Sequence, residues 1–311
     1  MIKVRKKQGT EILLGCILLS LLIFCLLRTR ALGNGVREGL SLCGRAIVPT
    51  LFPFLILCDL LLSFSATEKL LQLLSRPFAA LLRLSPCGSI AFLFGNLFGF
   101  PIGAKTVAKY YKAGVLSRVE SERLLLFCGN ASPFFLIGSV GYGMFSSFRI
   151  GILLYIAQFA VSLLCGIILA TPSKKDSKRN PHRLTDISLQ KTVSFPATVQ
   201  SAVTQTLYIC GYVLFFSALI SALLPLLPKS LAPFIIGLLE IGNASAYAVK
   251  SVPHLAVPLC AFSACFSGLS VFFQTADCIR ETDLSLRFYL PIKLLCGVFA
   301  FFLVFLLQAW N

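Results

Sequence analysis

The sequence predicts an all-α polytopic membrane protein, and three observations carry that prediction. Apolar residues make up 57% of the 311 and charged residues only 13%, about half the charged share of an ordinary soluble domain. Six apolar stretches reach or approach the ~20 residues that a helix needs to cross a hydrocarbon core. The basic residues stand between those stretches, where membrane proteins keep their cytoplasmic loops.

The same arithmetic excludes other classes. A soluble fold needs polar residues to cover its surface, and this chain has too few for one globule. The 12 cysteines are scattered through apolar runs, with no pair at Cys-x-x-Cys spacing, so a disulfide scaffold is excluded. A net charge of +16 suggests nucleic acid at first sight. The basic residues form neither one face nor a finger motif, so no nucleic-acid partner is expected.

The first apolar stretch, residues 10–27, follows Lys3, Arg5, Lys6 and Lys7. No small-residue cleavage site follows, and Phe24 precedes Cys25, so it reads as a retained signal-anchor helix. Stretches 46–64, 124–145, 150–170, 206–227 and 288–309 are the other long ones. Two more, 89–104 and 231–249, are short or broken by glycine, and 255–276 is long but polar in its middle. If the two short stretches dip in and return while seven cross, 21 of the 28 basic residues fall on the cytoplasmic face. That count includes Lys105 and Lys293. The positive-inside bias supports this topology, although Arg28, Arg30, Arg37 and Arg45 fall on the opposite face.

Residues 65–84 read as an amphipathic helix in the interface, with Leu70, Leu71, Leu74, Phe78, Leu81 and Leu82 on one face. Ser65 with Glu68, and later Ser117 with Glu120, have capping-box spacing and mark helix starts. The basic stretch 171–196 carries three prolines and is the one convincing linker. The expected organisation is an N-terminus and anchor at 1–30, a first module at 39–170, the cytoplasmic linker at 171–196 and a second module at 197–311.

Each module has the same order of parts. A long span leads, followed by a short segment interrupted by Gly and Asn: "FGNLFGFPIGAK" in one, "IGLLEIGNASAY" in the other. A span with a polar middle comes next, "LFCGNASPFFLIGS" and "AFSACFSGLSVFFQ", and a clean apolar helix closes the module. An odd number of crossings in the first module inverts the second, which makes an inverted-topology repeat. Backbone that leaves the helix inside a bilayer survives only where protein or a wet cavity shelters it, since each unpaired N–H or C=O costs several kcal/mol. Pro101 and Pro133, with Gly95, Gly99, Gly103 and Gly129, are the residues that break a helix. The predicted result is two re-entrant hairpins and two broken helices meeting near mid-membrane.

The run "GNLFGFPIGAKTVAKYYKAGVLSRVESERLLLFCGNASPFFLIGSVGYGMF" resembles the first Gate, or nucleoside-recognition, module of the YlbJ family of sporulation integral membrane proteins. "GLLEIGNAS" followed by "FSGLSVFFQTADCI" resembles the second. The resemblance runs from about Gly39 to the C-terminus, least in the linker. It implies an architecture like that of concentrative nucleoside transporters and a role in moving dipicolinic acid across the outer forespore membrane.

Several residues are candidates for the site. Lys105, beside Gly103 at the mouth of the first hairpin, suits one carboxylate of a dianion, or else snorkels to the headgroups. Glu240 has no basic residue between Lys229 and Lys250 and is the candidate for coupling to H+ or Na+. An ionisable side chain at membrane depth points to function by default, and the alternative is a buried pair with a cation of the other module. Asn130, Ser132, Asn243 and Ser245 offer hydrogen bonds to a polar ligand, and so do Ser267, Ser270 and Gln274. Interhelical hydrogen bonding explains any one of them equally well. His182 and His254 are isolated, so no metal site is expected, and no cofactor or nucleophile motif is visible.

The reading is therefore a membrane transporter of a small anionic metabolite, dipicolinate by the resemblance, and not an enzyme. Its rivals are a nucleoside-type transporter and a non-transporting sporulation scaffold that works through the linker. Assembly into a homo-oligomer is left open.

Overall fold

The computed structural model describes residues 2–61, 63–170 and 194–310, and every regular element among them is a helix. Helix α1 (Ile2–Leu27) leads into α2 (Thr29–Leu42), which runs through a π-helical turn (Cys43–Ile47) into α3 (Val48–Leu61). From Thr29 to Leu61 this is one apolar rod of 33 residues, long enough to cross a membrane. The arginines at 28, 30, 37 and 45 are thus carried on or beside its N-terminal half.

The expected amphipathic helix is α4 (Ser65–Leu82), stopped by Arg83 in the left-handed region at φ 50°. The side chains of Ser65 and Glu68 lie outside the described residues. Leu70, Leu74 and Leu81 are exposed, while Leu82 is buried. The next helix, α5 (Pro86–Leu97), leaves α4 at a 100° bend. Then come α6 (Ile102–Lys112) and α7 (Arg118–Phe127). Ser117 caps α7 as expected, its Oγ accepting from Glu120 N–H at 3.1 Å. Glu120 does not close the capping box within α7: its Oε1 accepts from Ser85 N–H at 2.6 Å, at the start of α5.

Residues 128–132 are not helical, and α8 (Phe134–Phe145), mostly π-helical, resumes the path. The module closes with α9 (Phe148–Ile168). Arg123 draws its ends together, with Nη2 donating to the carbonyls of Leu82 and Arg83 at 3.2 and 3.0 Å and Nη1 to Leu169 at 3.5 Å. A cation at two helix C-termini satisfies carbonyls that have no helical partner.

After residues 171–193, which lie outside the described residues, the second module begins with α10 (Phe195–Leu223). It continues through α11 (Ala232–Leu239), α12 (Ile241–Ser251), α13 (Ala256–Phe266), α14 (Gly268–Ile279) and α15 (Tyr289–Trp310). The element order follows that of the first module except that α4 has no counterpart, with α10 in the place of α3 and α15 in the place of α9.

Among the described residues, five helices are long and apolar enough to cross a membrane, or six if the bent α4–α5 pair is one span. Seven crossings were expected. The stretch 124–145 is divided by its non-helical middle, and within α1 the apolar helix counted among the described residues is Glu11–Leu27. Burial separates core from periphery: the span Pro253–Ile279 is 83% buried within the protein, whereas Tyr289–Ala309 is 22% buried. The interrupted span therefore forms the centre, and exposed leucines and phenylalanines of α15 and α10 form an outer face suited to lipid.

Candidate functional site

Four interruptions of helix lie at the centre, and they pack in pairs. In the first module the turn at residues 98–101 rests on residues 128–133, with Phe100 N–H donating to Asn130 O at 2.8 Å. Gly99 takes φ 86°, and a Cβ there would come within 2.9 Å of Ser132 N, so both conformation and space require glycine. Below the turn α5 and α6 fold back on each other: a Cβ on Gly103 would sit 2.8 Å from Gly95 Cα, and both face the Cys128 carbonyl. This is the hairpin anticipated from "FGNLFGFPIGAK".

In the second module the interruption is one extended residue, Glu240, at φ −154°, between α11 and α12. It rests against the break between α13 and α14. There Ser267 and Gly268 adopt φ 74° and 76°, and a Cβ on Gly268 would meet the Leu239 carbonyl at 2.9 Å. A left-handed serine in a fully buried position stores backbone strain that the surrounding packing must hold.

Side chains from both modules pair with the freed backbone around residues 128–132. Gln158 of α9 accepts from Ala131 N–H at 3.0 Å and donates to Ala131 O at 2.9 Å. Ser162, one turn on, donates to Phe127 O at 2.6 Å. From the other side Lys293 of α15 donates to Gly129 O and, at 3.3 Å, to Asn130 Oδ1. The Asn130 amide donates to Asn96 Oδ1, Phe127 O and Ser162 Oγ, each at 2.9 Å. Pairing of this kind is what unwound backbone at membrane depth requires.

Lys293, Gln158, Ser162 and Asn96 were not singled out from the sequence. Lys293 had been counted as a cytoplasmic charge, yet it is 2% exposed inside α15, and no carboxylate is within ion-pair distance of it among the described residues. A lysine inside the 288–309 apolar run was itself the signal. The i, i+4 spacing of Gln158 and Ser162 on one face of α9 was another.

Glu240 is 3% exposed and caps its own helix. Oε1 accepts from Gly242 N–H at 3.0 Å, and Oε2 accepts from the backbone and side-chain N–H groups of Asn243, both at 2.7 Å. A carboxylate on a helix N-terminus meets the positive end of the dipole. No lysine or arginine pairs with it among the described residues, so the alternative of an ion pair with the first module is set aside. Asn243 also donates to Ser217 Oγ of α10 at 2.8 Å.

Glu240 lines a small central cavity of about 40 Å³. Gly99, Phe100 and Ser132 line it from the first module, Gln274 from the second, and Leu51, Ile209 and Val213 of the two leading spans form apolar walls. The volume holds water-sized molecules, since a water needs roughly 10–15 Å³ on this measure. Gln274 donates from Nε2 to Ser270 Oγ at 3.2 Å, but its buried Oε1 has no hydrogen-bond partner. An unpaired acceptor beside a carboxylate, in a sheltered chamber, suits a hydrogen-bond donor or a small cation.

The other expected site residues lie at varying distances from this chamber. Lys105 is paired with Asp59 at 2.6 Å and with Ser201 Oγ at 3.4 Å, and lines a second, larger cavity. Gly103 packs inside the hairpin, and Asn130 is bound in the network around its break. Ser245 and Ser267 donate to carbonyls of their own helices at 2.9 and 3.2 Å. Ser132, Glu240 and Gln274 are the expected positions that line the central cavity itself. Among the described residues no cluster of metal-ligating side chains is present.

This is an integral membrane protein of all-α class, whose interrupted helices meet around a sheltered chamber. Comparison with known proteins then gives one relative of the same broad class. The chain is similar to the sporulation integral membrane protein YlbJ of Bacillus subtilis (strain 168), 27% identical over 88% of this chain and 76% of the relative. The likeness is to a sporulation integral membrane protein and spans most of both chains. No protein-family model matches the chain, and no solved structure does.

Proposed function

We propose that the protein is a transporter that carries a small anionic metabolite, dipicolinate by its resemblance, across the outer forespore membrane. The observation that carries this reading is the central cavity, where breaks from both modules converge on Glu240 and the unpaired Gln274 Oε1. Matching order of parts in the two modules supports an inverted pair of Gate repeats, the architecture of alternating access. At about 40 Å³ the chamber is far below the roughly 300–1,000 Å³ of a pocket that encloses a metabolite. The conformation described is then an occluded one, and transport requires the modules to part. Glu240 serves as the coupling group for H+ or Na+ in this scheme, because a carboxylate would repel a dianion at contact.

One observation favours a second reading. Among the described residues no lysine or arginine lines the central cavity, and Lys105 is paired with Asp59 outside it. A neutral, nucleoside-like substrate fits such a chamber without needing a counter-charge. The deciding experiment is uptake into proteoliposomes of radiolabelled dipicolinate and of uridine, with wild type, Glu240→Gln and Lys105→Ala. Dipicolinate uptake reduced in both variants supports the first reading. Uridine uptake that Lys105→Ala leaves intact supports the second. No uptake of either, with a normal dipicolinate content in spores of a deletion strain lacking paralogues, returns the protein to the class of membrane scaffolds.

A further inference from the structure

Two cavities share the same pair of helices. The larger, about 540 Å³, is lined by Gln205 and Tyr208 of α10, by Asp277 and Cys278 of α14, and by Lys105 of α6. The central cavity is lined one turn further along each helix, by Ile209 and Val213 of α10 and by Gln274 and Val271 of α14. One helical turn is about 5.4 Å. The chambers are therefore stacked, with a partition a single turn thick.

That partition can be named. Gln205 Nε2 donates to Cys278 Sγ at 3.6 Å, and the Cys278 thiol donates to Pro101 O at 4.0 Å. Pro101 ends the hairpin turn whose Gly99 and Phe100 line the central cavity, so residues 99–101 border the chamber on one side and meet Cys278 on the other. Both contacts use sulfur, a weak donor and acceptor, and neither involves a charge. The large cavity also carries both signs of charge, Lys105 and Arg280 with Asp277 and Glu281, and so does not reject a polar solute by its sign.

We propose that the large cavity is a vestibule through which a small polar solute reaches the central chamber, and that Gln205, Cys278 and the Pro101 carbonyl are its gate. The vestibule opens on the face from which the linker enters, since Ala197, Gln200 and Ser201, at the start of α10, line it. Parting the thiol contacts by a small shift of the hairpin turn would join the chambers without breaking an ion pair. The proposal rests on the transport reading for what passes, but the gate itself can be tested without any substrate.

The test is thiol accessibility in the full-length protein in detergent, with a small polar maleimide and peptide mapping by mass spectrometry. Cys278 should react, with Cys278→Ser losing that peptide adduct. A reporter deep in the chamber, Val213→Cys, should react much more slowly than Cys278, and Gln205→Ala should speed it several-fold. Dipicolinate or uridine, used as probes, should slow labelling of Val213→Cys if they occupy the route. An unreactive Cys278, or a Val213→Cys rate that Gln205→Ala leaves unchanged, overturns the gate. Because Gln205→Ala removes a side chain that already faces a cavity, an unchanged elution profile from size exclusion accompanies the measurement. Labelling that follows the expected order in a protein that transports nothing would keep the gate and remove the transport reading.

Discussion

Lys293, in the last helix, donates to the backbone carbonyl of Gly129, in the break of the first module, 164 residues away along the chain. The contact joins the closing helix of one module to the unwound segment of the other. It also accounts for a cation at membrane depth that has no carboxylate beside it among the described residues.

Removing that ammonium leaves the Gly129 carbonyl buried and unpaired. Lys293→Met is expected to destabilise the protein by about 1.5–3 kcal/mol, the range for losing a hydrogen bond to a charged group. Lys293→Arg should recover part of this, since a guanidinium can still donate. Unfolding in mild detergent, followed by far-ultraviolet circular dichroism, measures both.

Gln274 presents the opposite case. Its Oε1 is buried without a partner, so Gln274→Leu exchanges one hydrogen bond, to Ser270, for relief of an unsatisfied group. The expected stability is unchanged or up to about 1 kcal/mol higher. Uptake in proteoliposomes should fall all the same. Equal loss of stability and uptake would show that the amide serves packing alone.

Glu240 combines a cap with a chamber wall, and two substitutions separate the roles. Glu240→Gln keeps an acceptor for the N–H groups of Gly242 and Asn243 and should cost under about 1 kcal/mol. Glu240→Leu removes the cap and should cost about 1–2 kcal/mol. Ion-dependent uptake should be lost in both, because both remove the charge.

At the linker face Tyr111 donates to Asp283 Oδ1 at 2.6 Å, which holds the Asp283 carboxyl below its usual range and the Tyr111 phenol above its own. The two shifts give opposite signs. The lowered Asp283 contributes stability above its unfolded pKa, lost as pH falls through the folded value. The raised Tyr111 contributes below its unfolded pKa of 10.0, lost as pH rises through the folded value. Both groups are solvent-facing, so the effect is small and screened by salt. The difference between wild-type and Tyr111→Phe unfolding curves should be widest between these limits and shrink at both ends. A difference that stays constant from pH 3 to 11 would exclude the assignment.

Much of this protein was legible before folding was considered. The apolar runs and the helix start at Ser117 follow from local rules, because bilayer thickness and orphaned N–H groups act on neighbours in sequence. The breaks at Gly99 and Gly268 were legible too, as glycine-bearing interruptions of apolar runs. What each side chain does there was not. Asn130, Gln158 and Lys293 stand 28 to 163 residues apart in the chain, and only the packing of α9 and α15 against one break brings them together. Lys105 shows the same limit: its sequence position suggested a waiting cation, and the approach of α3 supplied Asp59 as a partner. Hydropathy and capping are properties of a segment, so composition alone determined the membrane class and the places where helix fails. Which polar groups are satisfied and which are left facing a cavity depends on distances between segments remote in the chain, and that only the tertiary structure decided.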